Sequence, residues 1–214
     1  MNIFETNNNI RETGIIGPRC RETFMPILEG GPLAKLGVCA AGVSALSGAY
    51  CMHRPCSSIS VVVGTLAGKG LLHVEGGRQI LKPVDLLVAP RGVHHRYETI
   101  RGQPWKIVWF NIECEIPFDR VRVLKADYLS SIAKDFLDVN AEASSGLSLS
   151  AEARMGKESY LAVLLQRILH HGKRGQQVLH EARLHVLWRS VTNDFARKWR
   201  LPELARIAGY SPEH

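Results

Sequence analysis

His95, Tyr97, Trp105 and Trp109, with Arg54 upstream, are the residues whose types and spacing could do chemistry. Imidazole, phenol and guanidinium groups hydrogen-bond hydroxyls and carboxylates, and indole faces stack on the apolar side of a small ring. Strand side chains alternate between faces, so His95 and Tyr97 share one face, and Trp105, Ile107 and Trp109 share one face of the next strand. A small barrel of such strands would gather a His, a Tyr and one or two Trp around its interior, the makeup of a small polar-ligand pocket with aromatic walls. Arg54 precedes a strand expected from Ser58. It can serve that ligand from the barrel mouth in fork geometry, or lie over the rim as an ordinary surface arginine.

The elements that must position these side chains are short strands. Leu86 to Val88 form an apolar run closed by the turn residues Pro90 and Gly92, and 106–112 is rich in β-branched and aromatic residues. The pattern predicts strands over 36–41, 58–66, 70–75, 78–81, 85–88, 94–97 and 106–112, with a hairpin at Gly76-Gly77. No room is left for crossover helices, so the predicted architecture is a sandwich or barrel. Residues 1–35, broken by Gly14, Gly17, Pro18, Pro26, Gly30, Gly31 and Pro32, read as an irregular arm with short extended pieces.

Past Pro117 the period becomes helical. Leu129, Ile132, Ala133, Phe136 and Leu137 mark one helix, and Leu161, Leu164, Leu165 and Ile168 form the stripe of a second that Ser150 can cap. That stripe either packs on the barrel or forms a dimer seam. Residues 170–175 (HHGKRG) read as a hinge. Leu184, Leu187, Trp188, Val191 and Phe195 then mark a further helix. At the end, Leu201, Leu204, Ala205 and Ile207 give a short helix, Gly209 a turn, and Ser211-Pro212 the cap and first turn of another, the outline of a helix-turn-helix. The expectation is a truncated chain, since a helix starting at Ser211 has no apolar face to bury by His214.

Composition narrows the class. The 214 residues, 45% hydrophobic and 22% charged, suit one good core and a smaller second unit. A net charge of +7 mildly favours nucleic acid and is equally compatible with ordinary solvated faces. Five cysteines without a CxxC pair read as reduced thiols of a cytosolic protein, which argues against zinc. The polar start lacks a signal core, and no apolar run approaches membrane-spanning length. No Ser-His-Asp or Cys-His set, P-loop or GxGxxG fingerprint occurs, so no catalytic residue and no cofactor is assigned.

Pro90-x-Gly92-x-x-His95 resembles the second sequence motif of the cupins. In metal-dependent cupins that histidine joins two His and a Glu of the preceding hairpin. Here the hairpin offers His73 and Glu75 alone, so a metal-free pocket and a three-ligand site of His73, Glu75 and His95 both stay open. The second reading is a metal-dependent cupin enzyme, an isomerase or oxygenase.

Taken together, Arg54-Pro55, GKGLLHVEGGRQILKPVDLLVAPRGVHHRYE, PWKIVWF from Pro104 and WRLPELARIAGYSPEH from Trp199 resemble the AraC family of transcriptional regulators. The resemblance implies an α+β chain, with an N-terminal cupin-like β-barrel (jelly roll) followed by helices and an incomplete helix-turn-helix. It implies an arm (1–35), an effector-binding barrel (36–117), a helical dimerisation region (118–171), a linker (172–180) and a partial DNA-binding domain (181–214). Arg54, Tyr97 and Trp109 match the positions lining the pocket in the sugar-responsive branch. His95 matches the turn histidine, and Trp105 is added as a second stacking surface. The implied partners are a small sugar-like effector, DNA in the full-length protein, contacted from Ser211, Pro212, Glu213 and His214, and a second copy in a homodimer. Ile107 stands where the arabinose regulator has a second pocket histidine, which implies a different specificity. Val84 stands where the family has Gly in a Pro-Gly-Asp turn.

Overall fold

The computed structural model describes residues 12–127, 129, 130, 132–134, 137, 154–170, 187, 191, 194 and 197–208. The chain divides into two units, residues 1–168 and 169–214.

The first unit is a two-sheet sandwich. Its strands are β1 (Thr13–Ile16), β2 (Arg21–Phe24), β3 (Val38–Leu46), β4 (Tyr50–Arg54), β5 (Ser60–Gly68), β6 (Gly70–Val74), β7 (Gly77–Leu81), β8 (Asp85–Ala89), β9 (His95–Thr99), β10 (Trp105–Ile112) and β11 (Arg122–Lys125). One sheet has the order β1-β4-β9-β6-β7 and the other β11-β8-β5-β10-β3-β2, with antiparallel neighbours throughout. Strands consecutive in sequence often fall in opposite sheets, the winding of a jelly roll. The fold is cupin-like, and a core that includes Leu46, Val63, Leu72, Leu81, Leu87 and Ile107 fills the space between the sheets.

The six-stranded sheet is buried on both faces. Trp109 and Val63 face the inner core, while Val62, Val88, Val108 and Phe110, on the opposite face by alternation, are buried too. The helical residue Leu129 lies against that second face. A Cβ at Gly64 on β5 would lie 2.6 Å from the Leu129 side chain, so the glycine lets the leucine press onto the sheet. Double burial explains why β8 reads as an unbroken apolar run. Leu161, Leu164, Leu165 and Ile168, on α2 (residues 154–170), are buried within the chain. Of the two readings of that stripe, packing within the chain is the one observed. Glu158 of α2 is buried as well, and its carboxylate accepts the Leu28 N–H at 3.1 Å. Burial pushes the Glu158 carboxyl up.

Several elements differ from expectation. The sheets take in strands on both sides of 36–117. β1 and β2 come from the arm and β11 lies beyond Pro117, each four residues long and finding its hydrogen bonds on a neighbouring strand. Such strands bury too little on their own to leave a periodic signature. β3 runs five residues past its expected end at Ala41, because Gly42, Ser44 and Ala45 are poor strand formers held by β10 and β2. β4 (YCMHR) was not expected at all, and it pairs with both β1 and β9. A single helical turn, α1 (Pro32–Lys35), starts with proline at its N-terminal end and buries Leu33.

In the second unit, α3 (Leu201–Ala208) is helical as expected, although Leu201 is 71% exposed and so contributes little to a buried stripe. Arg197 pairs with Glu203 and lies over the Trp199 ring at 4.6 Å. Residues 172–180, Gly209 and Ser211 to His214 lie outside the described residues, and with them the linker and the start of the second helix.

The turn before β8 keeps the geometry of a Pro-Gly-Asp turn without its glycine. Val84 has φ 68°, a left-handed conformation that a β-branched residue rarely adopts. The surroundings hold it there. Its N–H donates to Thr65 O at 3.2 Å, its carbonyl accepts from Ala126 at 2.9 Å, and the Asp85 carboxylate accepts the Lys82 N–H at 2.8 Å. The side chain is 42% exposed and returns little burial. Left-handed backbone costs an L-residue about 1–2 kcal/mol, against about 0.5–1 kcal/mol of extra chain entropy for glycine. Val84→Gly should therefore stabilise the unit by up to about 1 kcal/mol and raise Tm by about 2–4 °C. A calorimetric melt with Tm unchanged or lowered would show that the turn carries no strain.

Candidate functional site

The site is built by register across the five-stranded sheet. Arg54 on β4 lies opposite His95 on β9, and Met52 opposite Tyr97. Thr13 pairs with His53, so Glu12, one residue before β1, comes alongside Arg54. Glu12, Arg54 and His95 thus form a row across three adjacent strands, on the face turned to the core. Arg54 is the last residue of β4 and is 9% exposed. It therefore lies inside the barrel rather than on the rim ahead of a strand. Its Nε is 3.9 Å from Glu12 Oε2, and its Nη1 donates to Ser57 Oγ at 3.4 Å.

His95 is fully buried, and its Nδ1 lies 2.8 Å from the Val93 carbonyl. A carbonyl only accepts, so Nδ1 carries the proton and Nε2 is left as a bare acceptor. That Nε2 has no hydrogen-bond partner among the described residues. Burial lowers the imidazole to a pKa of about 4, assisted by the positive charge of Arg54 and opposed by the Val93 hydrogen bond. The Tyr97 ring lies parallel to His95 with centroids 6.1 Å apart. Tyr50, which the sequence reading missed, has its ring centroid 6.4 Å from that of Tyr97. Burial pushes both phenols up, so both are protonated donors at neutral pH.

The six-stranded sheet supplies the opposite wall. Trp109 Nε1 donates to Ser44 Oγ at 2.9 Å, and Ser44 donates to Glu22 Oε1 at 3.0 Å. A Cβ at Gly42 would lie 2.7 Å from the Trp109 ring, so only glycine lets the indole lie across β3. Phe24 of β2 meets the same indole edge-on at 5.4 Å. Trp105 donates to Thr65 Oγ1 at 3.2 Å and packs edge-on against Tyr97 at 6.3 Å. It is 1% exposed, so it serves as a wall behind Tyr97.

The structure thus brings Arg54, His95, Tyr97, Trp105 and Trp109 to one interior. It adds Glu12, Glu22, Ser44, Tyr50 and Thr65, none of them singled out from sequence. Single polar residues in weakly patterned strands carry no local signal of what they will face.

His73, Glu75 and His95 do not fit a shared metal. His73 pairs in register with Arg96, and its neighbour Val74 pairs with His95, so the two imidazoles project to opposite faces of the sheet. His73 Nε2 lies 2.7 Å from Glu98, which also accepts from Arg96 at 2.5 Å. Burial alone would raise the Glu98 carboxyl, but those two hydrogen bonds outweigh it and hold it below the usual range. Glu75 sits in the exposed hairpin turn. Among the described residues no group of three or more His, Cys, Asp or Glu is placed to hold a metal ion. His94 faces away from His95, as alternation requires, and meets His53 at 3.3 Å. All five cysteines are free thiols. Among the described residues no helix is long and apolar enough to cross a membrane.

Buried neutral His95 makes stability depend on pH with a definite sign. Its folded pKa of about 4 lies below the ordinary 6.5, so above pH 6.5 both folded and unfolded states hold it neutral. Between 6.5 and 4 only the unfolded chain takes up the proton, and stability falls as pH falls. The loss over that window should be on the order of 3 kcal/mol. Urea unfolding of wild type and His95→Asn at about pH 7 and pH 4 should show the wild type losing more by that amount. Equal losses would mean that the imidazole is not held neutral.

The sequence profile of the AraC-like ligand binding domain matches residues 58–187, more than half of the chain. No curated protein matches it. Among solved structures it is similar to protein Ylba from E. coli, at 13% identity and TM-score 0.40, covering 59% of this chain and 56% of that one. It is similar also to a cupin-like protein from Thermotoga maritima (10%, TM-score 0.37, 62% and 91%). A third is a cupin superfamily protein from Desulfitobacterium hafniense (9%, TM-score 0.36, 44% and 78%). The chain spans just over half the length of the E. coli protein. With its polar interior inside a cupin-like sandwich, the chain belongs to the AraC-like ligand-binding domain family.

Proposed function

We propose that this chain is the effector-binding part of a transcriptional regulator, whose barrel takes up a small polar molecule, a sugar or sugar derivative, and thereby controls DNA binding by a dimer. The observation that carries the reading is the set of Arg54, His95, Tyr50 and Tyr97 inside a barrel whose core includes Leu46, Leu72, Leu81 and Ile107. Buried polar groups cost free energy unless paired, and here a bare imidazole nitrogen and a loosely held guanidinium await a hydroxyl-bearing guest. Trp109 offers an apolar face to a sugar ring, with Trp105 standing behind Tyr97. Ligand binding shifts populations of the arm and of the helices that follow the barrel, which in turn disposes the DNA-binding units. Ser211, Pro212, Glu213 and His214 open the helix that would read the major groove. No residue is assigned a catalytic role, and the protein is read as a cytoplasmic binding protein rather than an enzyme.

A thermal-shift screen of monosaccharides, sugar acids and divalent metals tests the reading, because a specific ligand stabilises the folded state by mass action. One sugar class should raise Tm, while metals leave it unchanged. A shift with metals alone, reversed by chelator, would count for a metal-dependent cupin enzyme instead. For the ligand found, Arg54→Ala should weaken binding about 10- to 100-fold in calorimetry, the loss of one charge-assisted hydrogen-bonding group. Unchanged affinity would remove Arg54 from the site. Sedimentation equilibrium tests the dimer, and a monomer at micromolar concentration would remove it from the scheme.

A further inference from the structure

We propose that the effector is a hydroxylated carboxylate, a sugar acid or a related hydroxy acid, and that the Glu12 carboxylate of the arm holds its place against Arg54 until it binds. This rests on the barrel being an effector site, and it specifies the ligand's class and the means by which the ligand is sensed.

The first observation is how poorly Arg54 is satisfied among the described residues. A guanidinium has five donors in a fixed fork and pairs best with two carboxylate oxygens at about 2.7–2.9 Å. Arg54 instead has Glu12 Oε2 at 3.9 Å from Nε and Ser57 Oγ at 3.4 Å from Nη1. Glu12 Oε1 is buried and without a partner among the described residues. The pair balances charge without making the fork. A buried guanidinium needs a nearby anion, so a neutral ligand could not drive Glu12 out without leaving a cation unpaired. A ligand carboxylate could. It would supply the same charge and both oxygens, while Glu12 returns to water and its buried oxygen regains a donor.

The second observation is the imidazole. With Nδ1 donating to Val93, the fully buried Nε2 is an acceptor that only a donor can satisfy. A carboxylate offers none, whereas a hydroxyl does. Arg54 and His95 are opposed residues on adjacent strands, so a carboxylate and a nearby hydroxyl of one small molecule can reach both. The Tyr50 and Tyr97 phenols add donors for further hydroxyls.

The third observation is where Glu12 sits. It leads directly into β1, the edge strand of its sheet, which is bound through four residues to β4. Moving the Glu12 carboxylate therefore loosens the end of β1. The arm senses the ligand by being displaced at its charged end.

The test is calorimetry on the whole chain with matched pairs: D-gluconate against D-glucitol, D-galacturonate against D-galactose, and glycerate against glycerol. One acid should bind at least about ten-fold more tightly than its neutral partner, the worth of one charge-assisted fork. Glu12→Gln, which keeps the shape and removes the competing charge, should tighten the acid several-fold and leave the neutral partner unchanged. Hydrogen exchange at the Thr13–Ile16 amides should quicken when the acid saturates the wild type. Neutral sugars binding as well as or better than acids, in both wild type and variant, would overturn the acid while leaving the barrel as an effector site. An acid that binds without sensitivity to Glu12→Gln, or without change in exchange, would overturn the displacement. No binding by any of the six compounds to either protein would overturn the sugar-effector reading together with this one.

Discussion

A guanidinium buried in a barrel governs the rest of this structure. Arg54 lies inside a shell of Leu, Val and aromatic side chains, where an unpaired charge would cost several kcal/mol. The fold answers with a carboxylate from the arm and a serine from the following turn, and it keeps the neighbouring imidazole neutral. A protonated His95 would set a second cation beside the first. Burial sets the protons in this interior, with the imidazole neutral and the phenols protonated, while Glu12 balances the charge on Arg54.

The arm belongs to the site as much as to the sheets. Glu12 meets Arg54 and Glu22 accepts from Ser44, which itself holds the Trp109 indole. Farther along, Leu28 donates to the buried Glu158 of α2. A Cβ at Gly31 would fall 2.2 Å from that carboxylate, so the loop passes tightly over the helix. One covalent segment therefore touches the interior at two points and the helical layer at a third. This is the physical connection through which a ligand could bias the helices, provided both arrangements of the arm are stable.

The six-stranded sheet explains how one small unit can be a vessel and a platform at once. Its inner face holds Trp109 and Ile107 against the site, and its outer face receives the Leu129 side chain at Gly64. Leu161, Leu164, Leu165 and Ile168 read equally well as a dimer seam, because an apolar helical stripe specifies that it must be covered and not by what. Only the packed chain shows the cover to be its own. The same limit hid Tyr50, Ser44 and Glu22. β4 and β2 are strands because their neighbours have free edges, which no window of sequence records.

What the sequence determined is local and periodic. Alternation placed His95 with Tyr97 and Trp105 with Ile107 and Trp109, and put His94 on the far side, because the pleat fixes successive side chains to opposite faces. Helical spacing marked the stripe of α2 and the helix at Leu201. The resemblance to the cupin motif also offered His73, Glu75 and His95 as metal ligands, since spacing along a chain cannot say that two strands in register send their histidines to opposite faces. The tertiary structure decided what requires distant segments to meet. It set Glu12 beside Arg54, laid Tyr97 parallel to His95 with Tyr50 beyond it, and held Val84 in a left-handed turn through hydrogen bonds with Thr65 and Ala126. Those arrangements depend on pairing energies between strands far apart in sequence, and each exists only once the sheets have closed.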